Sequence, residues 1–244
     1  MIRLFILAMI LFAAALIACP TPASAAARAV SGVYTIHDGA DELGREEWSL
    51  TTFGDGTMLL QINLKLTTRQ IASVDLTADW RIKSLTLLVA DGTNLSYAHY
   101  ICRENALQGC RVALGGLEEI SLALEPGYQL DFGSPWFNSI VAQNLKLQSG
   151  GSADYEVVNF ELPSMLPYKG QHSLTRLDDE TADVAVFSGT RACERYVVDI
   201  VGPASAMATS FLLSPEGIPV RFGTDEQHPE GWYRLDELYY TALD

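Results

Sequence analysis

Basic residues are scarce in this sequence. Only 16 Lys and Arg stand against 30 Asp and Glu, which gives a formal net charge of -14 over 244 residues. A nucleic-acid-binding protein usually needs a basic surface, so this balance argues strongly against nucleic acid as a partner. The same balance argues against adhesion to an anionic membrane surface through charge. The apolar fraction of 48% lies in the globular range and excludes a disordered acidic protein.

The sequence also lacks the common local motifs of enzymes and metal sites. It contains no nucleophile elbow, no phosphate-binding glycine loop, no dinucleotide fingerprint and no His-Glu-x-x-His motif. The four histidines stand singly, so none has a metal-ligand partner at short spacing. Glu46 and Glu47 are adjacent acids, but neighbours on a strand face opposite sides of a sheet and cannot act on one substrate. We therefore predict no catalytic residue, no metal ligand and no cofactor.

The first 25 residues have the organisation of a secretory signal. A basic residue, Arg3, precedes an apolar run over residues 4–18, and small residues follow. Ala23-Ser24-Ala25 fits a signal-peptidase site that leaves Ala26 as the new terminus. Alternatively, the stretch ending in Cys19 resembles a lipobox, in which Cys19 is acylated and anchors a lipoprotein. No later apolar run reaches the ~20 residues of a transmembrane helix.

These features predict a signal peptide over residues 1–25 and a single domain over residues 26–244. The expected location is periplasmic or secreted, without a transmembrane anchor after processing. A lipoprotein anchored through Cys19 is the alternative.

Three cysteines remain after such a signal. Cys102 and Cys110 bracket seven residues that end in Gly109, so they are placed to close the tip of a hairpin. Export makes a disulfide chemically possible, and we predict a Cys102–Cys110 bridge, with two independent thiols as the alternative. We expect Cys193 to be a free thiol buried in a strand.

Alternation of apolar and polar residues dominates residues 26–244. In residues 57–66, Met58, Leu60 and Ile62 fall on one face, and Gln61 and Asn63 fall on the other. Similar short segments recur, separated by Gly, Pro and Asp turns, at residues 33–36, 42–48, 48–53, 84–90, 95–102, 155–162, 172–177, 184–187, 196–201, 209–213 and 220–222. The pattern predicts an all-β, mainly antiparallel fold, built as one large curved sheet or half-barrel of about a dozen strands.

One segment has helical spacing instead. Ser134 is a good N-cap before Pro135, and Phe137, Ile140 and Leu145 then repeat at helical intervals. This predicts one short helix near residues 134–147 that packs its apolar stripe against the curved sheet. The alternative is an extended loop that leads into a strand over residues 141–147.

Two longer segments resemble the bacterial glycolipid-binding family. Residues 75–87, with Trp80-Arg81 at their centre, are similar to that family's central strand pair. Residues 130–145, which include Pro135-Trp-Phe-Asn138, are similar to its Pro-Phe-Thr-Asn segment, although Trp136 and Ser139 depart from it. The family's next pattern is a strand that ends in a Pro, followed by a Gln that opens another strand. It appears in this sequence at Pro163 and Gln171. The resemblance covers residues 45–222 and implies a curved sheet around a hydrophobic cavity, as in periplasmic lipoprotein carriers.

The resemblance implies a ligand site made of large apolar side chains with a few polar neighbours. The candidate ligand-binding residues are Trp80, Arg81, Trp136, Phe137, Asn138 and Gln171. Core packing is the alternative for each apolar residue, and an ion pair with Asp79 or Asp75 is the alternative for Arg81.

We therefore expect a non-catalytic, exported envelope protein that binds a lipid or glycolipid in a cavity of its sheet. One alternative is an envelope protein-interaction module with a protein partner. Another is a glycan or lipid hydrolase assembled from distant Asp, His and Ser residues.

Overall fold

The computed structural model describes residues 26–113, 116–184, 186, 189–201, 207–224 and 233–242. The predicted signal peptide and Cys19 lie outside the described residues. The elements within them are β1 (Ala26–Asp38), β2 (Asp41–Phe53), β3 (Met58–Lys65), β4 (Arg69–Leu76), β5 (Ile82–Asp91), β6 (Asn94–Arg103), β7 (Ala106–Ala113), β8 (Gly116–Ala123), β9 (Gln129–Leu130), α1 (Pro135–Leu145), β10 (Ser152–Glu161), β11 (Leu166–Arg176), β12 (Glu180–Val184), β13 (Gly189–Val201), β14 (Met207–Leu213), β15 (Pro219–Thr224) and β16 (Tyr233–Ala242).

The strands form one large sheet in which both halves of the sequence take part. Its order is β8-β7-β6-β5-β4-β3-β2-β1-β16-β15-β14-β13-β11-β10-β9, with β12 paired to β13 beside this path. The first and last strands, β1 and β16, pair antiparallel in the middle and join the two halves. Pairing is antiparallel apart from β9, which runs parallel to β10. The predicted all-β class and curved antiparallel sheet are confirmed.

In strands β2 to β6 the buried residues fall on one face of the sheet, which we call the inner face. In β10 and β14, buried apolar residues lie on both faces. In β3, Met58, Leu60, Ile62 and Leu64 are buried, and Gln61 between them is exposed. The neighbouring strands repeat this period, so the inner face is a continuous apolar surface. Burial of this face is the main force that holds the sheet in its curved form.

Helix α1 covers part of the inner face. Ser134 is extended (φ -103°, ψ 144°), and its Oγ accepts a hydrogen bond from the backbone N–H of Trp136. The helix ends at Lys146, whose left-handed conformation (φ 49°) returns its N–H to the carbonyl of Ala142. Every residue from Pro135 to Ala142 is buried. The predicted helix is therefore confirmed, and its first eight residues are buried while its last turn is half-buried.

The two outer edges of the sheet approach each other and give it a half-barrel form. Tyr128, in the segment after β8, donates a hydrogen bond to the carbonyl of Ala106 in β7 (3.1 Å). The N–H of Glu125 donates to the carboxylate of Glu156 in β10 (3.0 Å). On the inner side, Tyr100 of β6 donates to the carbonyl of Met165 in the β10–β11 turn (2.5 Å). These contacts hold the β7–β8 edge close to β10.

The predicted Cys102–Cys110 disulfide is wrong. Both residues are free thiols. Strands β6 and β7 are joined by a two-residue turn, so Cys102 lies opposite Leu107 and Cys110 lies opposite His99. Because Leu107 is fully buried, this register places Cys102 on the inner face and Cys110 on the outer face. Thiols on opposite faces of a sheet cannot be bridged. The third thiol, Cys193, is buried in β13.

Candidate functional site

A group of buried aromatic and polar side chains lies where the central strands meet the start of α1. We call it the Glu46 cluster, and its members come from β1, β2, β16 and the N-terminus of α1: Tyr34, Glu46, Trp48, Ser134, Trp136 and Tyr233. Each member is at most 8% exposed. The cluster therefore joins both ends of the described chain to its single helix.

Strand alternation and one glycine explain how β2 contributes to this cluster. Glu46 and Trp48 are two residues apart, so both point to the inner face. Gly32 of β1 lies opposite Trp48 in the sheet. A Cβ atom at position 32 would lie 2.6 Å from Cζ2 of Trp48 and 2.5 Å from the carbonyl oxygen of Glu237. The indole therefore occupies space that any other residue at position 32 would fill.

The aromatic rings of the cluster are in mutual contact. The ring centroids of Trp48 and Trp136 are 4.6 Å apart with an interplanar angle of 64°. Tyr34 stacks on Trp48 at 5.9 Å and meets Tyr233 edge-on at 6.4 Å. These geometries are favourable for aromatic pairs and order the side chains around Glu46.

Three hydrogen bonds connect the cluster to the backbone and to the helix cap. The hydroxyl of Ser134 donates to Oε1 of Glu46 at 2.8 Å. Tyr34 donates to the carbonyl of Pro219 at 2.8 Å, and Tyr233 donates to the carbonyl of Gly133 at 3.1 Å. Ser134 thus serves both as the N-cap of α1 and as a donor to a buried carboxyl group.

Three buried polar atoms of the cluster have no hydrogen-bond partner among the described residues. They are Oε2 of Glu46, Nε1 of Trp48 and Nε1 of Trp136. Buried polar atoms are nearly always paired with protein, water or ligand, because leaving one unpaired costs about 1–3 kcal/mol. The cluster therefore has the chemistry of a site for a small polar group in apolar surroundings.

Burial determines the protonation of Glu46. Desolvation raises the pKa of this carboxyl group to about 8, although the hydrogen bond from Ser134 opposes the shift. Burial, and then the proximity of Glu46, also raises the pKa of Tyr34 and of Tyr233. At neutral pH the cluster is consequently uncharged.

A second polar group lies near the β9–β10 edge. Tyr155 and His172 face each other across β10 and β11, with ring centroids 5.8 Å apart. Burial lowers the pKa of His172, and the nearby Asp131 opposes that shift. Burial raises the pKa of Asp131, which accepts a hydrogen bond from the N–H of Gly133 at 2.9 Å. Within the described residues, no three His, Cys, Asp or Glu side chains are grouped to hold a metal ion.

The structure brings together only part of the predicted ligand site. Trp136, Phe137 and Asn138 lie side by side at the start of α1, and all are buried. Trp80 is half-buried in the turn between β4 and β5, and it packs against the same core cluster as Trp136 and Phe137. The sequence-predicted neighbours Trp80 and Trp136 thus share one core.

The two remaining predicted residues lie at the surface. The side chain of Arg81 is 78% exposed and pairs with Asp79 at 3.1 Å, which is the ion pair considered as its alternative. Gln171 is exposed on β11, since the alternation that points His172 inward points Gln171 outward. Neither residue lies with the buried aromatic group.

Glu46 is the important residue that sequence reasoning missed. Its signal was present, because Glu46 falls in phase with Trp48 and Leu50, both of which are buried. A carboxylate on an apolar strand face predicts either a buried partner or a functional site. Ser134 was predicted only as a helix cap, and nothing local indicates its bond to a residue in β2.

These features define a class of protein: a curved, barrel-like antiparallel sheet with one helix on its inner face and a polar group buried beneath that helix. No helix within the described part of the chain combines the length and the apolar character needed to cross a membrane.

Similar folds occur in solved structures. One is a DUF1089 family protein from Pseudomonas aeruginosa, with a TM-score of 0.53 and 18% identity over 72% of this chain and 88% of that chain. Another is a β-barrel-like protein of the domain of unknown function DUF1849 from Brucella abortus, with a TM-score of 0.53 and 12% identity over 90% of this chain and 99% of that chain. No protein-family model and no curated protein matches the chain. At these identities the similarity shows the curved-sheet fold, and it does not show a glycolipid-binding family.

Proposed function

We propose that this chain is an exported, non-catalytic envelope protein that binds an apolar or amphipathic ligand, a lipid or glycolipid, on the inner face of its sheet. The observation that carries the proposal is the set of unpartnered polar atoms on Glu46, Trp48 and Trp136. Ligand sites in proteins are mostly apolar and contain a few convergent polar groups. The Glu46 cluster supplies such groups, and the surrounding inner face supplies the apolar surface.

Helix α1 and the β10–β11 turn are the elements that would admit a ligand. The turn is held over the inner side by two bonds to main-chain carbonyls, from Tyr100 to Met165 and from Arg111 to Ser164 (2.6 Å). Leu162 in this turn and Leu166 at the start of β11 are exposed, although Met165 between them is fully buried. A turn with apolar residues on both sides is suited to contact an apolar ligand as it enters.

The bonding of Ser134 supports a role in binding rather than catalysis. Its hydroxyl donates to the carboxyl group of Glu46. A nucleophilic serine instead donates to a general base that is itself oriented by a third group. Asp131 and His172 are close enough to influence each other's pKa, but Ser134 donates to Glu46 and to neither of them.

The edge strand β8 favours a second candidate function, a protein-interaction module. In the described part of the sheet, β8 pairs with β7 on one side only. Leu117 in this strand is 70% exposed. An unpaired edge can accept a strand from a partner protein.

The test is a binding measurement on wild-type protein purified from its own envelope fraction. Native mass spectrometry should show a retained lipid as added mass. After delipidation, the neutral dye N-phenyl-1-naphthylamine should bind saturably and be displaced by single-chain lipids and glycolipids. A protein that retains no lipid and binds neither the dye nor any lipid or glycolipid would refute the proposal, and the interaction module would then lead.

A further inference from the structure

The hydrogen-bonding capacity left open in the Glu46 cluster identifies what the cluster can bind. Ser134 directs its only hydroxyl proton to Oε1 of Glu46, so Oε1 is an acceptor. When Glu46 is neutral, its own proton is therefore on Oε2. The two indole Nε1 atoms are donors only. The three atoms without a partner, Glu46 Oε2, Trp48 Nε1 and Trp136 Nε1, are thus all donors.

The electrostatic surroundings favour the same kind of ligand. No Lys, Arg or His among the described residues forms an ion pair with Glu46. The N-terminus of α1, capped by Ser134, adds a positive partial charge beside the cluster. A site with three donors and the positive end of a helix attracts acceptor oxygen atoms. It disfavours an ammonium group, which has donors alone.

We infer that the Glu46 cluster binds the carbonyl oxygen of an acyl chain, carried either by a free fatty acid or by its ester. This inference rests on the proposed function, because the chain of such a ligand would lie along the apolar inner face. The indole groups of Trp48 and Trp136 and the carboxylic acid of Glu46 are the donors available to the acceptor oxygen atoms of the acyl group. The two ligand sources share this chemistry and differ in the rest of the head group.

The test compares ligands with the same chain and different head groups: dodecanoic acid, monododecanoylglycerol and dodecylammonium, each titrated against bound dye. The acid or the glycerol ester should bind at least about tenfold tighter than dodecylammonium, which corresponds to roughly one hydrogen bond. The tighter of the two identifies the source of the acyl group. Equal affinity for all three, or a preference for dodecylammonium, would overturn the inference while leaving the proposed function intact. If neither the dye nor any of the three ligands binds, the proposed function is refuted.

Two substitutions test the donors separately. Trp48→Phe and Trp136→Phe each remove one N–H group and keep an aromatic ring, so each should weaken binding of the preferred acyl ligand about fivefold to tenfold. Dye affinity should change much less, which separates head-group recognition from damage to the fold. If both variants bind the acyl ligand as wild type does, water occupies these donors and the inference is wrong.

A third comparison uses Glu46→Gln with Glu47→Gln as the matched control. Gln keeps a donor and cannot ionise, so ester binding should persist at position 46 and should lose its pH dependence. In wild type and in the Glu47 variant, ester affinity should fall about tenfold per pH unit once Glu46 ionises. The titratable groups that face Glu46 are Tyr34 from β1 and Tyr233 from β16, with Asp131 beside Tyr233. Identical pH profiles in all three proteins would exclude Glu46 as a donor.

Discussion

The inner and outer faces of β2 place the same residue type in opposite states. Glu46 on the inner face is fully buried, accepts one hydrogen bond from Ser134 and has a pKa raised to about 8 by desolvation. Glu47 on the outer face pairs with Lys65 and accepts a hydrogen bond from Asn63 at 2.9 Å. The hydrogen bond from Lys65 lowers the pKa of Glu47. Two adjacent carboxyl groups thus differ in charge at neutral pH because of which face they occupy.

This comparison shows where the chain accepts an energetic cost. The outer face uses exposed ion pairs, each of which is worth little to stability. The inner face keeps an ionisable group and two indole N–H groups away from water, with incomplete hydrogen bonding. A cost of this kind persists in proteins mainly at functional sites, so the inner face is where function is best sought.

The largest expected effect is a pH dependence of stability that comes from Glu46. In the unfolded chain this carboxyl group ionises near 4.5, but in the folded protein it ionises near 8. The contribution of the protonated Glu46 carboxyl group to the free energy of unfolding is therefore fully present below pH 4.5, and it is lost as the pH rises to 8. At about 1.4 kcal/mol per unit, the loss relative to Glu46→Gln amounts to as much as about 5 kcal/mol.

Denaturant unfolding between pH 4 and pH 9 measures this difference, with Glu47→Gln as the control. The Glu47 variant should follow the wild-type slope, because it leaves the inner face unchanged. Parallel curves for wild type and Glu46→Gln would show that Glu46 is ionised in the folded protein.

Trp136→Ala should be the most damaging of the simple truncations. Trp136 is fully buried against Trp48, so its loss should lower the free energy of unfolding by about 3–5 kcal/mol. Trp80→Ala should cost less, because Trp80 is half-buried in a turn. Chemical denaturation of both variants gives their free energies of unfolding. Equal losses of this free energy would mean that the helix contributes little to the core.

Ser134→Ala should have a smaller effect that nevertheless reports on the cluster. It removes the N-cap of α1 and the donor to Glu46, at a cost of about 1–2 kcal/mol. The pKa of Glu46 should rise further, because the bond from Ser134 holds it down. Ser134→Thr keeps a hydroxyl group and serves as the control. An unchanged pH profile in Ser134→Ala would indicate that the bond to Glu46 is not formed in solution.

The thiols should show almost no effect on stability. Three free thiols per chain of residues 26–244 are expected in non-reducing denaturant, since Cys102 and Cys110 lie on opposite faces. Cys110→Ser should change the free energy of unfolding by no more than about 0.5 kcal/mol, because it lies on the outer face. A count of one thiol would mean that β6 and β7 pair in a different register.

Periodicity of the sequence predicted the elements well, because it is a local property. The alternation in β3 and the spacing of Phe137 and Ile140 follow from the geometry of a strand and a helix. The same reasoning correctly separated Glu46 from Glu47. It did not rank one above the other, although Glu46 shares the phase of Trp48 and Leu50, because the strand pattern does not show which distant residue would bond a buried carboxyl group.

The site could be predicted only in part, for a related reason. Trp136, Phe137 and Asn138 are consecutive, so any fold that buries this turn of α1 brings them together. Arg81 and Gln171 come from other elements, and their faces depend on the turn before β5 and on the register of β11. A shift of one residue in either strand would have pointed them inward.

By itself, the sequence determined the fold class, the position of the helix and the excess of acidic over basic residues, because composition and period act over short stretches. Tertiary structure decided the rest. The bond between Ser134 and Glu46 spans 88 positions. Cys102 and Cys110 lie on opposite faces because Cys102 is paired with Leu107, and Cys110 is an odd number of residues from Leu107 along β7. Such relations depend on which strands become neighbours and on how they align. Those choices are made by burial of the inner face as a whole, and no single segment encodes them.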